Sequence, residues 1–168
     1  MRRRPNGLRL FLFGPMTTRD FKLWGKFGAR RMKGVNFHPK RCGEIAELAF
    51  AFKACGMGFV VSKPYGDSAA YDFVVGAKKH LRRVQVKSTS RPGFGRYNVG
   101  VQHCNGRGGA AYTREEIDFV VAYIVPRNIW YVVPIKAFLK KKGLLLFPDG
   151  SKRGGKYEKY CEAWHLLA

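Results

Sequence analysis

Acidic residues are scarce in this chain. Only 11 Asp and Glu stand against 32 Lys and Arg, a formal charge of +21 over 168 residues. An excess of that size repels itself in the compact state and points to a polyanionic partner. Nucleic acid comes first, with the salt-sensitive phosphate attraction supplying most of the affinity. General solubility or a ribosome-like role is the weaker alternative. Cysteine is also sparse: Cys42, Cys55, Cys104 and Cys161 lie far apart with no C-x-x-C pair, which leaves a structural zinc site poorly supported. Cys161 with His165, and His103 beside Cys104, read as core or surface residues, and the thiols as reduced ones in a cytoplasmic protein. No apolar run is long enough to span a bilayer, so no membrane partner is expected. Internal repeats and low-complexity segments are absent too.

What is present suffices for one folded domain, since 46% of the residues are hydrophobic. Residues 1–31 are basic and irregular. Arg2-Arg3-Arg4 before the apolar residues 8–13 faintly resembles a signal peptide, but Arg9 interrupts the apolar part and no A-x-A site follows. A phosphate-contacting arm or a translated leader are the other readings, with Met16 and Met32 as alternative starts.

The organising stretch is residues 62–89. Tyr71-Asp72-Phe73-Val74-Val75 reads as one strand, residues 76–80 as a basic turn, and residues 81–86 as a second strand. Alternation puts Val84 and Val86 on one face, and Gln85 and Lys87 on the other. If the strands pair, Asp72 lies beside that Gln-x-Lys face. A carboxylate, an amide oxygen and an ammonium at the end of two strands suit a hard cation with a positive charge next to it.

Residues 40–56 are expected to form a helix that buries Ile45, Leu48, Ala49, Phe52 and Cys55 and stops at Gly56. Glu44 and Glu47 are neighbours at the border of that stripe, either solvated near the helix start or leaning over a sheet edge. Residues 59–61 read as a short strand. Asp67 sits in a turn and is close enough in sequence to Asp72 to line the same site. Further on come a Gly/Pro-containing basic loop at 91–96, a strand through Tyr97, Val99 and Val101, a glycine-rich loop around Arg107, and a capping box at Thr113-Arg114-Glu115-Glu116. Asp118 is expected to be structural. It precedes strands at 119–125 and 129–133, a helix at 135–142 opened by Pro134, a strand at 144–147 and a terminal helix at 157–167.

Helix with Glu, strand, loop, strand with Asp, turn, strand ending in x-x-Lys resembles the order of the PD-(D/E)XK nuclease superfamily. Gly43-Glu44-Ile45-Ala46-Glu47-Leu48, Pro64-Tyr65-Gly66-Asp67, Tyr71-Asp72 and Arg83-Val84-Gln85-Val86-Lys87 are similar to one branch, the bacterial group I intron-associated PD-(D/E)XK endonucleases. The resemblance extends through residues 123–134 and the ending 155–166. It implies a single α/β, restriction-endonuclease-like domain at 37–168, with a mixed central sheet flanked by helices, behind a basic, loosely ordered segment at 1–36. It implies a divalent-metal-dependent DNA endonuclease of homing type. Mg²⁺ is its expected cofactor with Mn²⁺ as substitute and double-stranded DNA its partner; a homo-oligomer is expected because a double-strand cut usually needs two active sites. Catalysis would fall to Glu47, Asp72, Gln85 and Lys87, and metal binding to Asp72, Gln85, Glu47 and the Val86 carbonyl. Glu47 is preferred to Glu44 because it lies four after Gly43, where the resemblance to resolvase-like enzymes implies the helix glutamate. Tyr71 stands where the family usually has proline. Gln85 stands where most relatives carry Asp or Glu; a neutral amide holds a cation less tightly, which leaves the number of metals open. The candidate nucleic-acid contacts are Lys63, Arg82, Arg83, Ser88, Arg91, Arg96, Arg107, Lys152, Arg153 and Lys156. The alternatives are a non-catalytic basic DNA- or RNA-binding module on the same fold and a junction-resolving or repair nuclease.

Overall fold

The computed structural model describes residues 39–66, 68–77, 79–103, 109–150 and 155–168. The expectations placed on residues 1–38, Asp67, Cys104, Arg107, Lys152 and Arg153 lie outside the described residues.

The first helix, α1, spans Pro39–Gly56. Its end is set by Gly58 rather than Gly56. Gly58 adopts φ 87°, its N–H donates to the Cys55 carbonyl at 2.9 Å, and the Phe59 N–H reaches back to the Ala54 carbonyl at 3.1 Å. That pair of bonds closes the last turn and needs a residue without a Cβ penalty at the left-handed position.

The buried face of α1 also differs from the expected one. Ala46, Phe50 and Ala54 are fully buried, whereas Ile45, Leu48, Phe52 and Cys55 are exposed. The helix carries two apolar stripes, and the one with small residues lets its axis approach the sheet while Phe50 fills the gap. Phe50 sits against Phe73, Trp130 and Trp164 at ring-centroid distances of 5.2, 6.3 and 6.0 Å. Truncating such a ring to alanine costs about 3–5 kcal/mol.

After α1 the chain runs through β1 (Val60–Ser62), β2 (Phe73–Ala77), β3 (His80–Thr89), β4 (Pro92–Gly93), β5 (Arg96–Gly100), β6 (Phe119–Ile124) and β7 (Ile129–Pro134). A single turn α2 (Ile135–Phe138) and strand β8 (Gly143–Leu146) follow. Among the described residues, five strands form a central sheet ordered β1-β2-β3-β6-β7, and β4-β5-β8 form a second, antiparallel sheet. Only β3 and β6 pair in parallel in the central sheet, which is therefore mixed.

Alternation along the central strands divides the core in two. Phe73, Val75, Val84, Val86, Phe119, Val121, Trp130 and Val132 pack on the α1 side with Trp164 and Leu167. Val120, Ala122, Ile124, Tyr131 and Val133 pack on the other side, against Tyr97, Val99, Leu144 and Leu146 of the small sheet. A helix layer and a second sheet thus cover opposite faces of the central sheet.

Two expected helices are shorter than their periodicity suggests. Instead of 135–142, α2 is one turn, because Leu139 takes φ −47°, ψ 135° and Lys140 turns left-handed at φ 62°. In place of a terminal helix at 157–167 there are two 3-10 turns, Glu158–Tyr160 and Trp164–Leu167. Glutamates staple that ending to the sheet. Glu158 accepts from Tyr131 Oη at 2.5 Å and the Phe147 N–H at 2.9 Å. Glu162, left-handed at φ 49°, accepts from the Trp130 N–H, Trp164 Nε1 and Lys53 Nζ, each at 2.8 Å. These bonds outweigh the local helical pattern.

Candidate active site

The site is built at one end of the central sheet. In the β2–β3 register Phe73 faces Val84, so one step further Asp72 stands opposite Gln85. The Asp72 N–H donates to the Val84 carbonyl at 3.0 Å, which locks the aspartate onto β3 just before β2 begins. Its carboxylate Oδ2 accepts two bonds of 2.7 Å, from the Val86 N–H and from Gln85 Nε2. Gln85 also directs Nε2 to the Val86 carbonyl at 3.3 Å. Among the described residues, Gln85 is the one buried polar side chain. A buried amide needs such partners, and Asp72 is the principal one.

Lys87 follows on the same face of β3, with Nζ 5.7 Å from the centre of the Tyr112 ring. On the α1 side of the sheet edge, Glu47 accepts a 2.8 Å bond from Lys63 Nζ, whose ammonium also lies 5.8 Å from the Phe73 ring centre. Hydrogen bonding to Glu47, and next its charge, raise the Lys63 pKa above the ordinary lysine value. Glu44, one turn earlier on α1, is exposed.

The electrostatics join these groups. Burial raises the Asp72 pKa above the ordinary carboxylate value. The Val86 N–H opposes this, the charge of Glu47 adds to it, and Lys87 and Gln85 again oppose it. Glu47, Asp72, Gln85, the Val86 backbone and Lys87 are therefore one constellation, with Lys63 as an unexpected additional member. Lys63 is anticipated from sequence only as a DNA contact, and Tyr112 not at all; neither carries a local signal, because both reach the site through tertiary packing.

Among the described residues there is no group of three His, Cys, Asp or Glu suited to hold a metal. The oxygen donors here are instead two carboxylates and an amide. Asp72 Oδ1 makes none of the bonds just described, and the Lys63 ammonium already places one positive charge on Glu47. This donor set fits a hard divalent cation; the Gln85 amide would present its oxygen by turning over, which exchanges its bonds to Asp72 and the Val86 carbonyl for the cation.

A model of the PD-(D/E)XK endonuclease family matches residues 37–167. The chain belongs to that family. Among solved structures it is similar to a bacterial homing endonuclease, I-Ssp6803I, at 33% identity and a TM-score of 0.70, over 78% of this chain and 93% of that one. Comparison with curated proteins found no match. The order expected from the sequence, a helix followed by three strands, is realised by α1, β1, β2 and β3.

The expected DNA contacts divide. Arg91 and Arg96 are exposed on the β4–β5 hairpin, and Lys156 is exposed over the Tyr157 ring at 5.3 Å. Ser88 and Arg82 are half-buried on β3. Arg83 is engaged inside the protein. Its Nη2 bonds Asp118 Oδ1 at 3.1 Å and the Arg114 carbonyl at 2.8 Å, Nε bonds Asp118 Oδ2 at 3.2 Å, and Nη1 bonds the Glu115 carbonyl. Among the described residues no helix is long and apolar enough to cross a membrane.

Proposed function

We propose that this endonuclease is a divalent-metal-dependent DNA endonuclease of the intron-associated homing type, working as a homo-oligomer. One observation carries the catalytic reading: Asp72, Gln85 and Lys87 occupy one face of the β2–β3 ladder, with the charge of Glu47 acting on Asp72. The similarity to a bacterial homing endonuclease supports the biological class, and the +21 charge supports a DNA substrate. The homo-oligomer rests on a chemical argument, since cutting both strands generally calls for two active sites.

Asp72 and Glu47 would hold Mg²⁺ or Mn²⁺, assisted by the Gln85 oxygen and the Val86 carbonyl. A cation held there would supply charge neutralisation at the phosphate and a more acidic water. The chain's own residues do the rest. The Val86 N–H holds Asp72 in one orientation, Gln85 adds a second bond to it while no cation is bound, and Lys87 supplies an ammonium for the negative charge that develops on the phosphate. Lys63 keeps Glu47 compensated.

Nicking of supercoiled plasmid in Mg²⁺ against EDTA tests this reading. Metal-dependent nicking that is lost in Asp72→Asn and Lys87→Ala is expected. DNA binding with no cleavage in any divalent metal would leave the non-catalytic module in its place. That second reading is favoured by a single feature, the neutral Gln85 where a third carboxylate would bind a cation more strongly.

A further inference from the structure

The hairpin that follows β3 breaks two ordinary rules at one residue. Pro92 pairs with Tyr97 and Gly93 with Arg96, so the loop is the two residues Phe94 and Gly95. Both are left-handed, at φ 51° and 74°. A turn of this kind favours Asn-Gly, since its first position suits a small polar residue that tolerates positive φ. Here that position carries a phenylalanine, and the residue is 102% exposed. Strain and full exposure of an aromatic ring both act against the free protein, and a ring so exposed gains no packing that offsets them.

Its surroundings indicate what the ring meets. Arg91 and Arg96 flank the tip and are exposed. Arg96, Asn98 and Leu145 form the outward face of the small sheet, while Tyr97, Val99, Leu144 and Leu146 point inward. The tip is therefore apolar, its shoulders are cationic, and the face behind it mixes Arg96 and Asn98 with the exposed Leu145. The hairpin leaves the C-terminal end of β3, the strand carrying Gln85 and Lys87. Phe94 is seven residues beyond Lys87, a reach of at most about 25 Å. A narrow apolar tip between two guanidiniums complements a base step between two phosphate backbones.

We propose that Phe94 is a wedge that enters a base step of duplex DNA, with Arg91 and Arg96 on the flanking phosphates, and so deforms the DNA next to the catalytic face. This rests on the DNA-endonuclease reading above. The wedge explains why a hydrophobic ring is held out on a strained turn. It separates two neighbouring bases and unwinds the duplex locally, without requiring any particular sequence there.

The test uses the full chain in EDTA, so that no cleavage intervenes. Relaxed plasmid is closed by a metal-independent topoisomerase with or without protein, and the linking number is read. Binding to a mixed-sequence duplex of about 30 bp is measured in parallel at low salt, about 50 mM. The variants are Phe94→Asn, which installs the residue the turn prefers and should fold at least as well, and Phe94→Trp, which keeps a wedge. Wild type and Phe94→Trp should change the linking number. The indole emission that Phe94→Trp adds to the wild-type spectrum should be quenched on the duplex. Phe94→Asn should bind about tenfold more weakly and leave the linking number unchanged. If wild type binds DNA without changing the linking number, or if Phe94→Asn matches wild type in both assays, the wedge is wrong while the nuclease reading stands. If Phe94→Asn alters only the sedimentation of the free protein, the tip is a contact between copies and the wedge is again overturned. A wild type that binds no duplex at low salt removes the DNA-endonuclease reading, and the wedge with it.

Discussion

Two aspartates flank β3 in almost mirror-image fashion, and their difference separates scaffold from site. Asp72 stands just before β2 and Asp118 just before β6, the two strands that pair with β3. Each donates its N–H to a β3 carbonyl, Asp72 to Val84 and Asp118 to Arg83, and each accepts a β3 N–H on its carboxylate, from Val86 and Arg83 respectively. Beyond the backbone they diverge. Asp118 is gripped by the Arg83 guanidinium through both oxygens. Burial pulls its pKa up, but the hydrogen bonds and charge of Arg83 win and hold it below the ordinary value. Asp72 receives a neutral amide in place of the guanidinium, and there burial wins and its pKa rises. One carboxylate has its charge compensated within the fold. The other keeps a charge that a cation from outside would stabilise, at a cost to the free protein.

The sharpest way to break the comparison is to neutralise each aspartate. Asp72→Asn should lower cleavage by about a thousandfold in Mg²⁺ while leaving a folded, DNA-binding protein, and added Mn²⁺ should restore part of it. Lys87→Ala should lose as much and show no metal rescue, because the ligands remain. Asp118→Asn should do the reverse: activity per folded molecule persists, and stability falls by about 2 kcal/mol as Arg83 loses its counter-charge. Plasmid nicking and urea unfolding of the three variants decide it. Asp118→Asn as inactive as Asp72→Asn, with unchanged stability, would erase the distinction.

The next expected effect is on Arg83. Arg83→Met keeps the aliphatic stem but frees Asp118 and the Arg114 and Glu115 carbonyls. The pair is about one-third exposed, so solvent screens it, and a loss of about 1–2 kcal/mol is expected. DNA affinity should hardly change, because this guanidinium is already engaged; a large loss of affinity in filter binding would return Arg83 to the DNA-contacting group.

The contrast also shows what a linear sequence can reveal. The Asp72–Gln85–Lys87 face is legible because strand alternation and one short turn bring those residues together, and the order of elements around them resembles a known family. The family and the mixed-sheet fold follow from that same order. Asp118 could be read as structural, but not its partner, since Arg83 looks from sequence like one more basic residue among 32. The buried stripe of α1 was not legible, because Ile45-Leu48-Phe52 and Ala46-Phe50-Ala54 both recur at helical spacing and only the sheet selects the smaller set. The terminal segment reads as helix until Glu158 and Glu162 find Tyr131, Phe147 and Trp130. In both cases tertiary bonds decide between local patterns of similar strength.

A smaller effect sharpens the comparison from the amide side. Gln85→Glu adds a carboxylate beside Asp72 and Glu47. Calcium or manganese binding by calorimetry should tighten by about tenfold, while the metal-free protein melts lower because like charges crowd a buried site. Binding that is unchanged or weaker would show that position 85 serves only to orient Asp72.

The smallest expected effect is on pH dependence, and there the two aspartates should differ in sign. A carboxylate whose folded pKa is depressed contributes stability that is fully present above its unfolded pKa and is lost as pH falls through the folded value. Asp118 is of this kind. The melting-temperature gap between wild type and Asp118→Asn should therefore be widest near neutrality and close in acid. Asp72 has a raised folded pKa, so its protonated form favours the fold. Its contribution is present below the unfolded carboxylate value and is lost as pH rises through the folded one. In EDTA, Asp72→Asn should melt a few degrees above wild type at neutral pH, and that advantage should vanish in acid. Saturating Mg²⁺ should shrink the neutral-pH advantage, because the cation stabilises wild type and binds the variant poorly. If Asp72→Asn instead melts below wild type at neutral pH, as Asp118→Asn should, Asp72 is compensated as Asp118 is, and the electrostatic case for it as a metal-binding carboxylate is lost.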